Sequence, residues 1–141
     1  MVTGTGKVAL GHVAFRVRDI EASIRWYAAA FGAREAFRAR RPDGSPQLVY
    51  LELVPGQFIE LFPGGKNPIV EPEEPHGYAH TCLVVDDLTA TLAHLADLGV
   101  VPAEPPRVGR AGQRLAFVAD PDGNRLELMA IPPDSSLYRP A

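Results

Sequence analysis

The 141-residue sequence predicts an α+β fold made of two tandem βαβββ modules, forming a cupped mixed sheet with the helices outside. Three observations predict it. The stretch "HVAFRVRDIEASIRWYAAAFGA" from His12 recurs as "HTCLVVDDLTATLAHLADLGVV" from His80, an offset of 68 residues. "GQFIELF" from Gly56 recurs as "GNRLELM" from Gly123, an offset of 67. Each copy runs through the same change of pattern, from apolar strand to amphipathic helix and back to strand, so the unit repeated is a supersecondary structure.

The elements follow in order. Each copy opens with a His on an apolar, β-rich strand. An Asp follows at the same offset, Asp19 and Asp87. The helices expected after these run from Ile20 to Phe31 and from Leu88 to Leu98. Ile24, Tyr27, Ala28 and Phe31, and Leu88, Leu92 and Leu95, recur at helical spacing. Gly32 and Gly99 stand where C-terminal caps belong. Later strands are expected over Gln47 to Val54 and Gly56 to Phe62 in the first copy. Their counterparts are Arg114 to Ala119 and Gly123 to Met129. "PGQ" and "DPDGN" supply the tight turns, and Asp-Gly is a hairpin signal. Pro102, Pro105 and Pro106 limit the strand between Val100 and Val108 to a short edge. Module one spans about 8–62, a Pro- and Gly-rich linker 63–77 that is expected to cover a pocket follows, then module two over about 78–131 and an irregular tail 132–141 that is expected to pack on a partner chain.

Composition narrows the function. Hydrophobic residues make up 46% and charged residues 22%, as in ordinary globular domains. The net charge of −3 predicts neither a nucleic-acid nor an anionic-membrane partner. No apolar run approaches the roughly 20 residues of a membrane span. The N-terminus lacks the apolar core of a signal peptide. A single cysteine gives no intrachain disulfide and suits a reducing cytoplasm.

The repeat also separates two acids that stand in apolar runs. Glu60 and Glu52 both interrupt apolar runs, but only Glu60 has a twin, Glu127. Glu52 is therefore expected at a solvated or edge position. His12 and His80 are likewise twins. Two imidazoles and two carboxylates at equivalent places suit a divalent ion of borderline softness: zinc, nickel, cobalt, manganese or iron. They converge if the modules pair about a two-fold axis. His76 and His94 lie outside the pattern and are expected to be solvated or structural. Cys82, two residues after His80, shares its face by strand alternation; a small core thiol is expected, with a place on the cavity wall as the alternative. Phe58, Phe62, Arg125 and Met129 share a face with the acids by strand alternation and are candidates for a pocket wall.

The stretches "HVAFRVRDIEASIRWYAAAFG", "FIELF", "GYAHTCLVVDDL" and "FVADPDGNRLELM" resemble the vicinal oxygen chelate superfamily over about residues 8–131. That group includes glyoxalase I, methylmalonyl-CoA epimerase, extradiol dioxygenases, and fosfomycin- and bleomycin-resistance proteins. In it, dioxygenases and metal-dependent fosfomycin-modifying enzymes typically use two His and one Glu. Epimerases often carry Gln where Glu60 stands, and bleomycin binders lack the metal set. His12, Glu60, His80 and Glu127 together resemble the bacterial glyoxalase I ligand set. The resemblance implies a small-molecule substrate and a metal-dependent, lactoylglutathione lyase-like activity. A 2-oxoaldehyde–thiol adduct would be isomerised by proton abstraction through a metal-stabilised enediolate. Glu127 would be the base, with Glu60 its near-symmetric rival. It further implies glutathione or another thiol as co-substrate, Arg16 at a glutathione carboxylate, and a homodimer. An acyl-CoA epimerase and a non-catalytic binding or resistance protein are the alternatives. Gly64 stands where bacterial glyoxalase I carries an Asn that contacts glutathione, so the ligand set supports the chemistry more than it supports that thiol.

Overall fold

Asp19 and Asp87 do the same task at two helix starts. Each has an extended backbone, and each side chain accepts the amide three residues on, Ala22 and Ala90, at 3.0 Å. One orphan donor of each first turn is thereby satisfied. These caps open the two helices in a computed structural model that describes residues 8–70, 76–135 and 137. The element order is β1 (His12–Arg16), α1 (Ile20–Phe31), β2 (Arg34–Arg40), β3 (Pro46–Val54), β4 (Gln57–Phe62), β5 (Thr81–Val84), α2 (Leu88–Asp97), β6 (Arg107–Val108), β7 (Arg114–Ala119) and β8 (Arg125–Ala130). Gly32 ends α1 with φ 69°, a left-handed conformation that a Cβ would strain, and its amide closes on Ala28. The second helix stops one residue earlier than its spacing predicts, with Leu98 as the cap and Gly99 left-handed just beyond.

Two four-stranded sheets result, ordered β1-β4-β3-β2 and β5-β8-β7-β6, so the modules have the same topology. In each, the first and last strands pair in parallel and the remaining pairs are antiparallel. The mixed sheet is thus a pair of separate mixed sheets. As the prolines predict, β6 is only two residues long. Among the described residues no helix is long and apolar enough to cross a membrane.

One face of each sheet is apolar and packs inward. Val49, Leu51, Ile59 and Leu61 join Ala116, Val118, Leu126 and Leu128 in one cluster with Tyr27, Leu88 and Leu95 from the helices. Each fully buried Leu or Ile there contributes about 1.5–3 kcal/mol. The "DPDGN" turn then ties module two to the first helix. Tyr27 donates its hydroxyl to Asp120 at 2.8 Å, with both residues buried. The same carboxylate accepts the amides of Asp122 and Asn124 and the Asn124 side chain, at 2.7–2.9 Å. Burial first, and then the Asp120 charge, raise the Tyr27 pKa well above its ordinary value. Asp122 accepts from the Arg18 amide (3.0 Å) and the Ser23 hydroxyl (3.4 Å). His94, expected to be structural or solvated, donates Nε2 to the Ala29 carbonyl at 2.7 Å and links the two helices.

Two expectations about connecting segments fall partly outside the described residues. Linker residues 71–75 lie there, and so does the idea that they cover a pocket. Of the tail, 136 and 138–141 lie there as well. Within the described part, Ser135 donates its hydroxyl to Ala111 of the same chain at 2.7 Å.

Candidate metal centre

Register explains why each acid meets a histidine. In the parallel β1–β4 pair, Ala14 lies opposite Glu60 and His12 opposite Phe58. Strand alternation puts His12, Ala14 and Arg16 on the Glu60 face. The small Ala14 leaves room for the imidazole to lean across, and His12 Nε2 lies 2.9 Å from Glu60 Oε2. In module two Cys82 lies opposite Glu127. His80 stands one residue ahead of β5 rather than at its first position, yet its Nε2 lies 2.6 Å from Glu127 Oε2. The carboxylates are largely enclosed, at 8% and 12% side-chain exposure, while the imidazoles sit at the rim with 39% and 29%. A carboxylate this buried is costly unless paired, and each has its pair.

An aromatic ring completes each arrangement. Tyr50 is registered opposite Glu60 and meets His12 edge-on at 5.3 Å and 89°. Phe117 is registered opposite Glu127 and meets His80 at 5.1 Å and 82°. These rings escaped the sequence reading, although Tyr50 and Phe117 are 67 residues apart, the offset of Glu60 and Glu127. The tyrosine hydroxyl is the one chemical difference in the two triangles. Desolvation, and then the Glu60 carboxylate beside it, raise the Tyr50 pKa.

The two pairs stay apart within the chain. Among the described residues no three His, Cys, Asp or Glu side chains are gathered as a metal site. His12 and His80 nevertheless line one cleft of about 600 Å³ between the modules. Each pair fits two ligands of one ion. Donors about 2.1 Å from a metal and at right angles lie about 3 Å apart, close to the separations seen here. Imidazole with carboxylate also suits a borderline divalent ion.

The remaining candidates fall into place. Arg16 lies on the His12 face, donates to the Pro63 carbonyl at 3.3 Å and stands 5.6 Å over the Phe62 ring. Arg125 lies 4.0 Å over Phe117. Glu52 pairs with Arg34 (3.1 Å) and accepts the Gly56 amide (3.2 Å), so it braces β2 and the turn. His76 is exposed. Cys82 is a correction: the expected core thiol is exposed and lines the cleft, because the register that faces Glu127 to the cup faces Cys82 there too. Partial burial, and then Glu127, push its pKa up to about 11, which leaves an unreactive thiol. Gly64 has a local reason to be glycine, with φ 86°. At the adjacent Gly65 a Cβ would meet the Val17 carbonyl carbon at 3.1 Å.

Two tandem βαβββ modules, each presenting a His–Glu pair on its cup face, define a class of protein. The chain belongs to the Glyoxalase/Bleomycin resistance protein/Dioxygenase superfamily, whose pattern it matches over residues 9–128. It is 32% identical to a lactoylglutathione lyase of Haemophilus influenzae, over 84% of this chain and 89% of that one. It is 30% identical to an ethylmalonyl-CoA/methylmalonyl-CoA epimerase of Cereibacter sphaeroides, over 82% and 90%. A glyoxalase family protein from Enterococcus faecalis superposes with TM-score 0.71 at 27% identity, over 86% of this chain and 96% of that one.

Proposed function

We propose that the chain is a cytoplasmic, metal-dependent glyoxalase-like enzyme that isomerises a small 2-oxoaldehyde–thiol adduct. It acts as a homodimer in which His12 and Glu60 of one chain share an ion with His80 and Glu127 of the other. The twin His–Glu pairs carry this reading. Each pair supplies two donors, short of the four of a firmly held ion. The contacts of Tyr27, Ser23 and Arg18 with the 120–122 turn hold one chain's modules in place against each other. A second copy can complete each pair. When bound, a divalent ion supplies Lewis-acid stabilisation of the negative charge that develops on substrate oxygen. Glu127 takes the substrate C–H proton and returns it to the neighbouring carbon. His12 and His80 orient the carboxylates, and Arg16 stands ready for a carboxylate of the thiol, glutathione or another.

The epimerase relative favours a second reading, a metal-dependent acyl-CoA epimerase, which needs the same proton transfer next to a carbonyl. The test is purified protein with nickel, zinc, cobalt, manganese or iron, assayed with methylglyoxal plus several thiols and with methylmalonyl-CoA. Adduct turnover that needs metal supports the first reading, and epimerisation alone supports the second. A protein that retains no stoichiometric metal and gains no thermal stability from any of these ions sinks both, in favour of a small-molecule binding protein.

A further inference from the structure

The cups carry different groups two residues before their carboxylates. In module one Phe58 meets Tyr50 edge-on at 6.1 Å and 86°. In module two Arg125 takes that place, with its guanidinium 4.0 Å over the ring of Phe117. A cation has replaced a phenyl at the same step from the acid. The ring is a wall on which the guanidinium rests while its N–H groups remain available. Among the described residues Arg125 makes no side-chain hydrogen bond or ion pair. Arg107 of β6 lines the same small cavity, about 130 Å³, together with Leu115 and Phe117. That is the space of about four waters, enough for a carboxylate or phosphate group. Glu104 is the one acid on its wall and pairs with neither arginine among the described residues, so the lining is net positive.

We propose that Arg125, assisted by Arg107, forms an oxyanion subsite that reads a carboxylate or phosphate on the substrate, roughly 7 Å along β8 from Glu127. A planar fork resting on an aromatic wall suits two-point recognition of such a group. The placement of this anion on the reacting compound rests on the proposed function; the subsite itself does not. The anion has two possible carriers, the thiol half of an adduct or the acyl half of a coenzyme A ester.

The experiment has a binding arm and a kinetic arm. In the first, metal-loaded protein is titrated calorimetrically with methylmalonate and with inorganic phosphate. Arg125→Phe, which copies the module-one arrangement, is expected to bind at least one of them roughly 10- to 100-fold more weakly than wild type, with Arg125→Lys in between. Arg107→Ala is expected to lose less. Equal affinity in wild type and Arg125→Phe, or no Arg125-dependent binding up to about 10 mM, overturns the subsite. In the second arm, kcat/KM is compared for methylglyoxal adducts of mercaptoacetate and of 2-mercaptoethanol, and for methylmalonyl-CoA. A preference for the mercaptoacetate adduct that falls roughly 10- to 100-fold in Arg125→Phe assigns the anion to the thiol half, and the same loss on methylmalonyl-CoA assigns it to the acyl half. Absence of such a loss on both the adducts and methylmalonyl-CoA overturns the reading of a substrate anion by Arg125. Arg125-dependent anion binding without turnover of any substrate keeps the subsite and removes the enzyme; turnover indifferent to Arg125 does the reverse. Melting curves of the folded Arg125→Lys protein keep the test open should the Phe variant misfold.

Discussion

The two cups have the same triangle of histidine, glutamate and aromatic ring, and differ in almost everything around it. Module one surrounds its pair with Tyr50, Phe58, Phe62 and Arg16. Module two has Phe117, Arg125, Met129 and Val84 at those places. The turns differ as well. "PGQ" in module one only closes a hairpin braced by Glu52, whereas "DPDGN" in module two reaches across to α1 through Asp120 and Asp122. Repetition has preserved the positions where donors meet, while the walls and turns are individual. A site assembled from one cup of each kind, as proposed, would be asymmetric and would set its two carboxylates in different surroundings.

The largest expected effect tests the pairing of unlike cups. His12→Ala and Glu127→Gln should each abolish turnover when pure. Co-refolded in equal amounts, they should recover about a quarter of wild-type activity, because each mixed dimer contains one intact site. Activity that stays at zero in the mixture would place both pairs in one chain's site. Next comes the division of labour. Glu127→Gln should lower kcat by roughly 10²–10⁴, whereas Glu60→Gln should act chiefly through weaker metal retention, read by metal analysis after dialysis. Equal kcat losses at saturating metal would make the two acids equivalent.

The contrast of turns comes third. Asp120→Ala leaves the buried Tyr27 hydroxyl and two turn amides without their acceptor and should cost about 3 kcal/mol. That is a fall of about 10 °C in Tm. Glu52→Gln in module one should cost less than about 1 kcal/mol. Similar melting shifts for the two would dismiss the turn as a latch. The smallest effect lies at the outer edge of module one, where Arg38 pairs with both Glu21 and Glu35. Arg38 holds both carboxyls below their ordinary value of 4.5. A lowered folded pKa contributes stability above 4.5 that is lost as pH falls through the folded value. Arg38→Met should therefore cost under about 1 kcal/mol at neutral pH, and the gap should close in acid. Urea melts in which the gap persists unchanged at pH 3 would refute that pairing.

Much of this was legible in the chain itself. The repeat set the two βαβββ modules, marked Asp19 and Asp87 as twins, and singled out His12, Glu60, His80 and Glu127 against Glu52; the prolines set the short edge strand. These are local regularities: strand alternation, helical spacing and a constant offset survive in one dimension. The same offset held Tyr50 and Phe117 as well, unread because aromatic residues in strands are common and carry no mark of a site. Cys82 was expected in the core because alternation fixes a residue's side of the strand but not whether anything covers that side.

The sequence by itself determined which side chains are twins and on which faces of their strands they lie, since period and offset fix both. Tertiary structure decided what those twins meet. It divided four donors into two pairs, set Arg125 rather than a phenyl against an aromatic wall, and made one turn a latch between modules. The pairs and the latch depend on packing between segments some 50 to 100 residues apart, and the Arg125–Phe117 contact on the register of the β7–β8 hairpin; there burial and hydrogen-bond geometry choose among partners that the order of residues leaves equal.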